Sequence, residues 1–351
     1  MNFASDNAGP AAPEIMAAVI AANEGSAMPY GNDPVRDGAI QKIRDLFEAP
    51  EASVHLVATG TAANALALSV LARPWEAIFC HRAAHIEADE CGAPEFYTGG
   101  AKLALVEGVG AKMTPEALRK AIHAKGGGDV HSVQRGPVSI TQITEEGAVY
   151  ALPEIEALSD VAREFGLPLH LDGARFANAC ATLGCTPAEM TWKAGVDAVS
   201  FGGTKNGCLG VEAVVIFDQS SAWELELRRK RGGHLFSKHR YLSAQMEAYI
   251  TDGLWLRLAQ SANARCAELA EGLRGLPGAS FMEEPRGNLV FVHLPRAAHA
   301  RAMAAGAKYY LFGEDQALDG DPETPILCRL VCDWSCTSEK VQSLLALFRG
   351  V

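Results

Sequence analysis

The 351-residue chain is short of several features, and each shortage removes a class of function. It has no surplus of positive charge: 31 lysines and arginines stand against 42 aspartates and glutamates, a formal net charge of -11. Nucleic-acid binders carry a basic face, so no nucleic-acid partner is expected. No long uninterrupted apolar run is present, so no membrane span is expected. The first residues lack a basic region followed by an apolar stretch, the mark of a secretory signal. A cytoplasmic location is the resulting expectation. No Gly-x-Gly-x-x-Gly joins a strand to a helix, which disfavours a nicotinamide-dependent dehydrogenase. Gly126-Gly127-Gly128 reads as a flexible turn rather than a phosphate loop, since no Lys-Ser/Thr follows it. The nine cysteines make no paired zinc-like array. Cys328, Cys332 and Cys336 sit four apart without a second knuckle, so buried free thiols and no metal are expected.

What is present is ordinary globular composition, 48% hydrophobic and 21% charged, enough for a large domain plus a smaller one. Apolar strand-like runs over 53–58, 77–80, 102–106, 137–141, 168–171, 198–201 and 213–217 alternate with helical stretches. Those helices are expected over 13–23, 35–47, 62–71, 114–125 and 153–165, with Thr114 as a cap and Pro115 in the first turn. The alternation predicts an α/β fold: a mainly parallel central sheet with helices on both faces. Beyond residue 221 the character changes. The basic run Arg228-Arg229-Lys230-Arg231 leads into one long helical segment over 238–276. Strands are then expected over 288–294 and 326–331. This part reads as a smaller α+β domain. The expected division is 12–235 for the large domain, with 1–11 and 236–351 forming the small one.

The residues that carry chemistry stand where apolar strands end in polar, glycine-bearing turns, since the strand ends of an open α/β sheet meet at its ligand crevice. One such strand leads through Gly202-Gly203-Thr204 to Lys205, and another through Leu169-His170-Leu171 to Asp172. Most lysines are solvated surface groups, but one in a glycine-rich turn after an apolar strand can be a desolvated nucleophile. A lysine for a Schiff base and a carboxylate opposite a pyridine nitrogen are what pyridoxal phosphate requires. Asp172 alone reads equally well as a turn residue. Arg175, three positions on, can hold an anion bidentately. Thr59-Gly60-Thr61 opens a helix, where free amides and the helix dipole suit a phosphate; alone it reads as a threonine cap. His85 is either structural or a ring-stacking imidazole able to handle a proton. Glu87, Asp89 and Glu90 read as a solvated acidic face, with Glu90 the strongest exception. Arg329 interrupts an apolar strand and needs a partner, either a substrate carboxylate or a structural carboxylate.

Taken together these residues resemble the fold-type I pyridoxal-phosphate enzymes, and within them the low-specificity L-threonine aldolases. The resemblance runs over essentially the whole chain. It rests on Ser5-Asp6-Asn7, Tyr30-Gly31-Asn32-Asp33-Pro34, Thr59-Gly60-Thr61, Ala84-His85, His170 to Arg175 and Thr204-Lys205-Asn206-Gly207. It implies that Lys205 binds the cofactor covalently, Asp172 pairs with the pyridine nitrogen, and His85 stacks on the ring. Gly60 and Thr61 would hold the phosphate. Ser5, Arg175 and Arg329 would hold the amino-acid carboxylate, with Tyr30 also at the substrate. Lys230 would reach a phosphate across a subunit interface. The implied reaction is reversible cleavage of L-threonine, L-allo-threonine and related L-β-hydroxy-α-amino acids to glycine and an aldehyde. The implied assembly is a homotetramer with shared active sites. Alternatives are an L-phenylserine-preferring aldolase, or another lyase or an aminotransferase of the same fold. One departure matters: some members have Asn-Thr-His where this chain has Gln142-Ile143-Thr144-Glu145. That leaves open which group handles the substrate hydroxyl, with His85 first and His131 and Glu145 behind it.

Overall fold

The computed structural model describes residues 1–350. Its centre is a seven-stranded sheet. In chain order the strands are β1 (Ser53–Val57), β2 (Glu76–His81), β3 (Lys102–Val106), β4 (Gln134–Thr141), β5 (Leu169–Gly173), β6 (Ala198–Gly202) and β7 (Glu212–Ile216). Their spatial order is β1-β7-β6-β5-β4-β2-β3. Only β7 runs against its neighbours; the pairings β6–β5, β5–β4, β4–β2 and β2–β3 are parallel. Because β7 is antiparallel to both β1 and β6, those two point the same way as the rest. Six strands therefore end at one edge of the sheet, and β7 begins there.

Helices cover both faces, which is why β1, β5, β6 and β7 are buried along their whole length. A strand's side chains alternate between faces. On one face Val199, Phe201, Ala213 and Val215 join the main core. On the other, Ala198, Val214 and Ile216 meet α3 (Gly60–Leu71) and Leu225 of α7 (Ala222–Arg231). The first face is covered by α1 (Pro13–Ala21), α2 (Pro34–Leu46), α5 (Leu152–Glu164), α6 (Phe176–Leu183) and α8 (Arg240–Ile250). A further helix, α4 (Pro115–His123), starts as the sequence predicts: Thr114 Oγ1 accepts from Ala117 N at 3.2 Å and Pro115 occupies the first turn.

The single helix expected over 238–276 is two helices. Asp252 and Gly253, at φ 52° and 69°, take left-handed conformations that stop α8 and restart the chain as α9 (Leu254–Arg274). The second sheet is antiparallel throughout. Strands β8 (Ser280–Phe281), β9 (Leu289–Pro295), β10 (Tyr310–Phe312) and β11 (Pro325–Val331) lie in the order β8-β9-β11-β10. It packs on α9 and α11 (Ser338–Arg349), with α10 (Arg296–Ala304) beside them. The amino-terminal residues join this sheet: Phe3 N donates to Lys308 O, Val331 N donates to Phe3 O, and Phe3 lies in the second core.

Phe201, beside the strand end that leads to Lys205, is the hub of an aromatic cluster. Its ring lies 5.5 Å from Phe47 and from Phe176, and 5.8 Å from Tyr249. Truncating a buried aromatic removes its contacts and leaves a cavity. Phe201→Ala is therefore expected to cost about 3–5 kcal/mol in equilibrium urea unfolding; a cost under about 1 kcal/mol contradicts this packing.

Candidate active site

The converging strand ends enclose a cavity of about 270 Å³. Lys205 enters it from a one-turn 3-10 helix, Thr204–Asn206, directly after β6. The turn is rigid on its far side, where Asn206 Nδ2 donates to Tyr249 Oη and to Trp255 O, both at 2.7 Å. Gly207 closes it at φ +102°, and a Cβ there would press on Leu258 Cδ1 at 2.9 Å. Among the described residues the Lys205 amine has no hydrogen-bond partner. Burial lowers its pKa, and Arg175 adds to the effect; Asp6, Asp172 and Glu212 pull the other way without reversing it. A lysine in that state has a larger neutral fraction and is a better nucleophile.

Asp172 stands on β5, level with Thr141 on β4 and Ser200 on β6. It is buried, yet it has donors. Ala174 N reaches Oδ1 at 3.0 Å and Asn64 Nδ2 reaches Oδ2 at 2.8 Å. The second hydrogen of Asn64 Nδ2 goes to Glu90 Oε1 at 2.9 Å, which also accepts from His85 Nδ1 at 2.8 Å. A chain of contacts thus runs from Asp172 through Asn64 and Glu90 to His85. The Glu90 hydrogen bond raises the His85 pKa above its ordinary 6.5; burial opposes this, and Asp172 and Glu90 add their charge. Asn64 was missed in the sequence reading. Glu90, set apart there from its acidic neighbours, is fully buried at its side chain.

Arg175 lines the cavity and is gripped by Asp6. Nε donates to Oδ2 at 2.7 Å and Nη2 to Oδ1 at 3.1 Å. Asn288 Nδ2 also donates to Asp6 Oδ2 at 3.1 Å. Burial alone would raise the Asp6 carboxyl, but Arg175 and Lys205 outweigh it and hold the pKa below 3.8. Asp6 is thus a positioning residue, visible in the sequence only as part of Ser5-Asp6-Asn7. The Ser5 side chain caps the turn that carries Asp6, with Oγ accepting from Asn7 N at 3.1 Å. Asn7, not Ser5, lines the cavity. Arg329 lies outside the lining. Its Nη2 donates to Ala4 O at 3.2 Å and its guanidinium packs on Tyr310, while burial and the nearby Arg175 lower its pKa.

Thr59 caps α3 through Oγ1, which accepts from Ala62 N at 3.2 Å. The amides of Gly60 and Thr61 are then first-turn groups without intrahelical partners. A Cβ built on Gly60 meets nothing within 4 Å, so the space over this turn is open. Two more carboxyls line the cavity. Burial pushes Glu212 and Glu145 each up to about 7, and Asp172 adds to the rise in both. Besides Ser5 and Arg329, three expected site residues are not brought in. Tyr30 and Lys230 pair with each other, the Lys230 amine lying 4.4 Å from the Tyr30 ring centroid, outside the cavity lining of the single chain. His131 sits in an exposed turn held by Asp129.

One cavity of strand ends thus gathers a half-buried lysine, a hydrogen-bonded aspartate and an open helix start. The family model for beta-eliminating lyases matches residues 2–297.

The chain belongs to the beta-eliminating lyase family.

A low specificity L-threonine aldolase from Pseudomonas sp. (strain NCIMB 10558) is 42% identical over 351 residues, covering 99% of this chain and 97% of the relative. Its counterpart from Pseudomonas aeruginosa is also 42% identical, covering 97% of this chain and 95% of the relative. The solved structure of a threonine aldolase from Leishmania major superposes with a TM-score of 0.92 at 27% identity, over 99% of this chain and 98% of that one. The architecture is the fold-type I arrangement that the sequence resemblance implies.

The link from Glu90 to His85 has a measurable consequence. Glu90→Gln removes the charge that favours the imidazolium, so the His85 pKa should fall from above 6.5 to a lower value in an NMR titration. An unchanged midpoint contradicts the assigned hydrogen bond.

Proposed function

We propose that this protein is a pyridoxal-phosphate-dependent aldehyde-lyase that reversibly cleaves L-threonine, L-allo-threonine and related L-β-hydroxy-α-amino acids to glycine and an aldehyde. The observation that carries the reading is the Lys205 amine, desolvated and lowered in pKa, in one cavity with the hydrogen-bonded Asp172. The near-full-length identity to low specificity L-threonine aldolases supports the reaction class.

The residues present fit the cofactor. The open space over Gly60, free of any clash for an added Cβ, is a cradle beside unpaired amides, the setting that binds phosphate at a helix start. Lys205 would supply the amine for its aldehyde, Asp172 would pair with its pyridine nitrogen, and His85 would stack on its ring; all three line the one cavity. When bound, the group supplies an electron sink for the pair released at Cα. The chain's own residues do the rest. Asp172, oriented by the Asn64 and Ala174 donors, would hold a proton on the pyridine nitrogen. Arg175, fixed at Nε and Nη2 by Asp6, presents its remaining guanidinium edge to the substrate carboxylate, with Ser5 and Arg329 nearby. Fixing the carboxylate decides which bond at Cα is oriented to break.

We further propose that residues 12–235 hold the cofactor. Residues 1–11 and 236–351 form a smaller part, of which α8 and the start of α9 pack on the large core, and its Asp6 and Arg329 act at the carboxylate end. The exposed Tyr30–Lys230 pair suits a role in a neighbouring copy's site, within a cytoplasmic homotetramer.

The test supplies the purified protein with pyridoxal phosphate, then with L-threonine and L-phenylserine in parallel, and measures aldehyde, glycine and keto acid. The reading predicts a visible cofactor band and equal amounts of aldehyde and glycine from at least one substrate. Keto acid without aldehyde contradicts the aldolase assignment while keeping the cofactor.

A further inference from the structure

The cleavage needs a base for the β-hydroxyl proton, and the cavity offers few free ones. We propose that Glu145 takes this proton through its Oε2 as the Cα–Cβ bond breaks. This inference rests on the aldolase reading above.

Glu145 lies just past the end of β4 and lines the cavity with Thr141 and Ile143. One carboxyl oxygen is fully engaged: Oε1 accepts from His85 N at 2.7 Å and from Thr141 Oγ1 at 2.9 Å. The other, Oε2, is buried and has no partner among the described residues. A buried carboxyl oxygen left without a donor is costly and needs an explanation. A substrate hydroxyl entering the cavity supplies the missing donor. The two bonds on Oε1 fix the carboxyl so that Oε2 is the free atom.

The rival groups are committed elsewhere. His85 Nδ1 is bonded to Glu90, and that bond keeps the imidazole protonated to higher pH, so His85 is better suited to give a proton than to take one. Glu90 also has an unpartnered oxygen, but its Oε1 holds two cavity side chains, His85 and, through the same amide that grips Asp172, Asn64, so its task is to position them. Glu212 Oε2 accepts from Gly203 N at 2.8 Å. His131 is in an exposed turn away from the lining. Lys205 is needed for the cofactor.

The surroundings of Glu145 suit the task. The ionisable groups that interact with it are Asp172 on β5, Cys80 on β2 and Tyr150 before α5, all through charge, and His85, whose backbone N donates to it. Burial first, and then the Asp172 charge, bring its carboxyl up to about 7. A base works best with a pKa near the working pH. Below that value the carboxyl is protonated and cannot accept; above it the carboxylate is available. In the step itself the hydroxyl O–H bond breaks and its proton moves to Oε2. The O–H electron pair becomes the second bond of the aldehyde carbonyl. The Cα–Cβ pair passes into the conjugated system at Cα. Return of a proton to Cα gives glycine and leaves Glu145 ionised again, so the proton count closes.

The experiment compares the cofactor-loaded wild type with Glu145→Gln and Glu145→Asp on the substrate that releases aldehyde. For E145Q, kcat is expected to fall about a hundred-fold or more, the usual range for a lost general base. KM should move far less. The rise of kcat/KM with pH through about 7 should disappear in E145Q and persist in E145D at reduced rate. Separately, carbon NMR of cofactor-free protein labelled at glutamate carboxyls should show two resonances titrating near 7, from Glu145 and Glu212, one of which is absent in E145Q. Wild-type kcat with the pH limb intact in E145Q overturns the inference. So does an E145Q that no longer gives the cofactor band, which would make Glu145 a structural support. If wild type releases no aldehyde, the aldolase reading itself falls and takes this step with it, while the NMR resonance still reports on the carboxyl.

Discussion

A buried carboxyl group needs donors from the protein in place of water, and Asp172 is where this structure meets that demand. Desolvation of an ion costs several kcal/mol unless it is repaid by hydrogen bonds or opposite charge. Asn64 and the Ala174 amide supply them. Once Asn64 is committed there, its second hydrogen fixes Glu90, and Glu90 fixes His85. On the other side, Asp6 and Arg175 satisfy each other, and Arg175 helps depress the Lys205 amine. The pocket is one electrostatic unit: moving any member leaves another buried charge without a partner.

The sheet makes this unit possible. Of the six strands ending at one edge, all but β3 deliver a site residue, Thr59, His85, Glu145, Asp172 and Lys205 in turn, and the reversed β7 brings Glu212 to the same edge. The helices that bury both faces of the strands hold the strand ends in place. The smaller sheet contributes by holding the amino terminus: Phe3 is anchored between Lys308 and Val331, which sets Asp6 against Arg175.

The parts of this arrangement that the sequence made legible are those announced locally. An apolar run ending in a glycine-bearing polar turn marked Lys205 and Asp172, and a threonine cap before an alanine-rich helix marked Gly60 and Thr61. Asn64 and Asp6 were not legible as site residues, because their roles are pairings across 108 and 169 positions of chain that only the fold creates. Glu145 stood in the sequence only as a candidate behind His85, because nothing in Thr-Glu-Glu-Gly shows that its carboxyl turns inward; that depends on the end of β4 meeting the turn at His85. The break between α8 and α9 was signalled by Thr-Asp-Gly, a turn-forming sequence, but the surrounding helical periodicity outweighed it. The short strands Ser280–Phe281 and Tyr310–Phe312 escaped because they are two and three residues long and mostly exposed, with no alternation to read. Tyr30 and Lys230 show the limit of transferring roles by motif: one chain places them together but not in its own cavity.

The central claim is that Lys205 is the amine that binds the cofactor aldehyde. The most direct measurement is reduction of the pyridoxal-phosphate-loaded protein with borohydride, followed by mass mapping of the modified peptide. The account predicts a single phosphopyridoxyl group on Lys205. A label on another lysine, or no stable label after full loading, would contradict it.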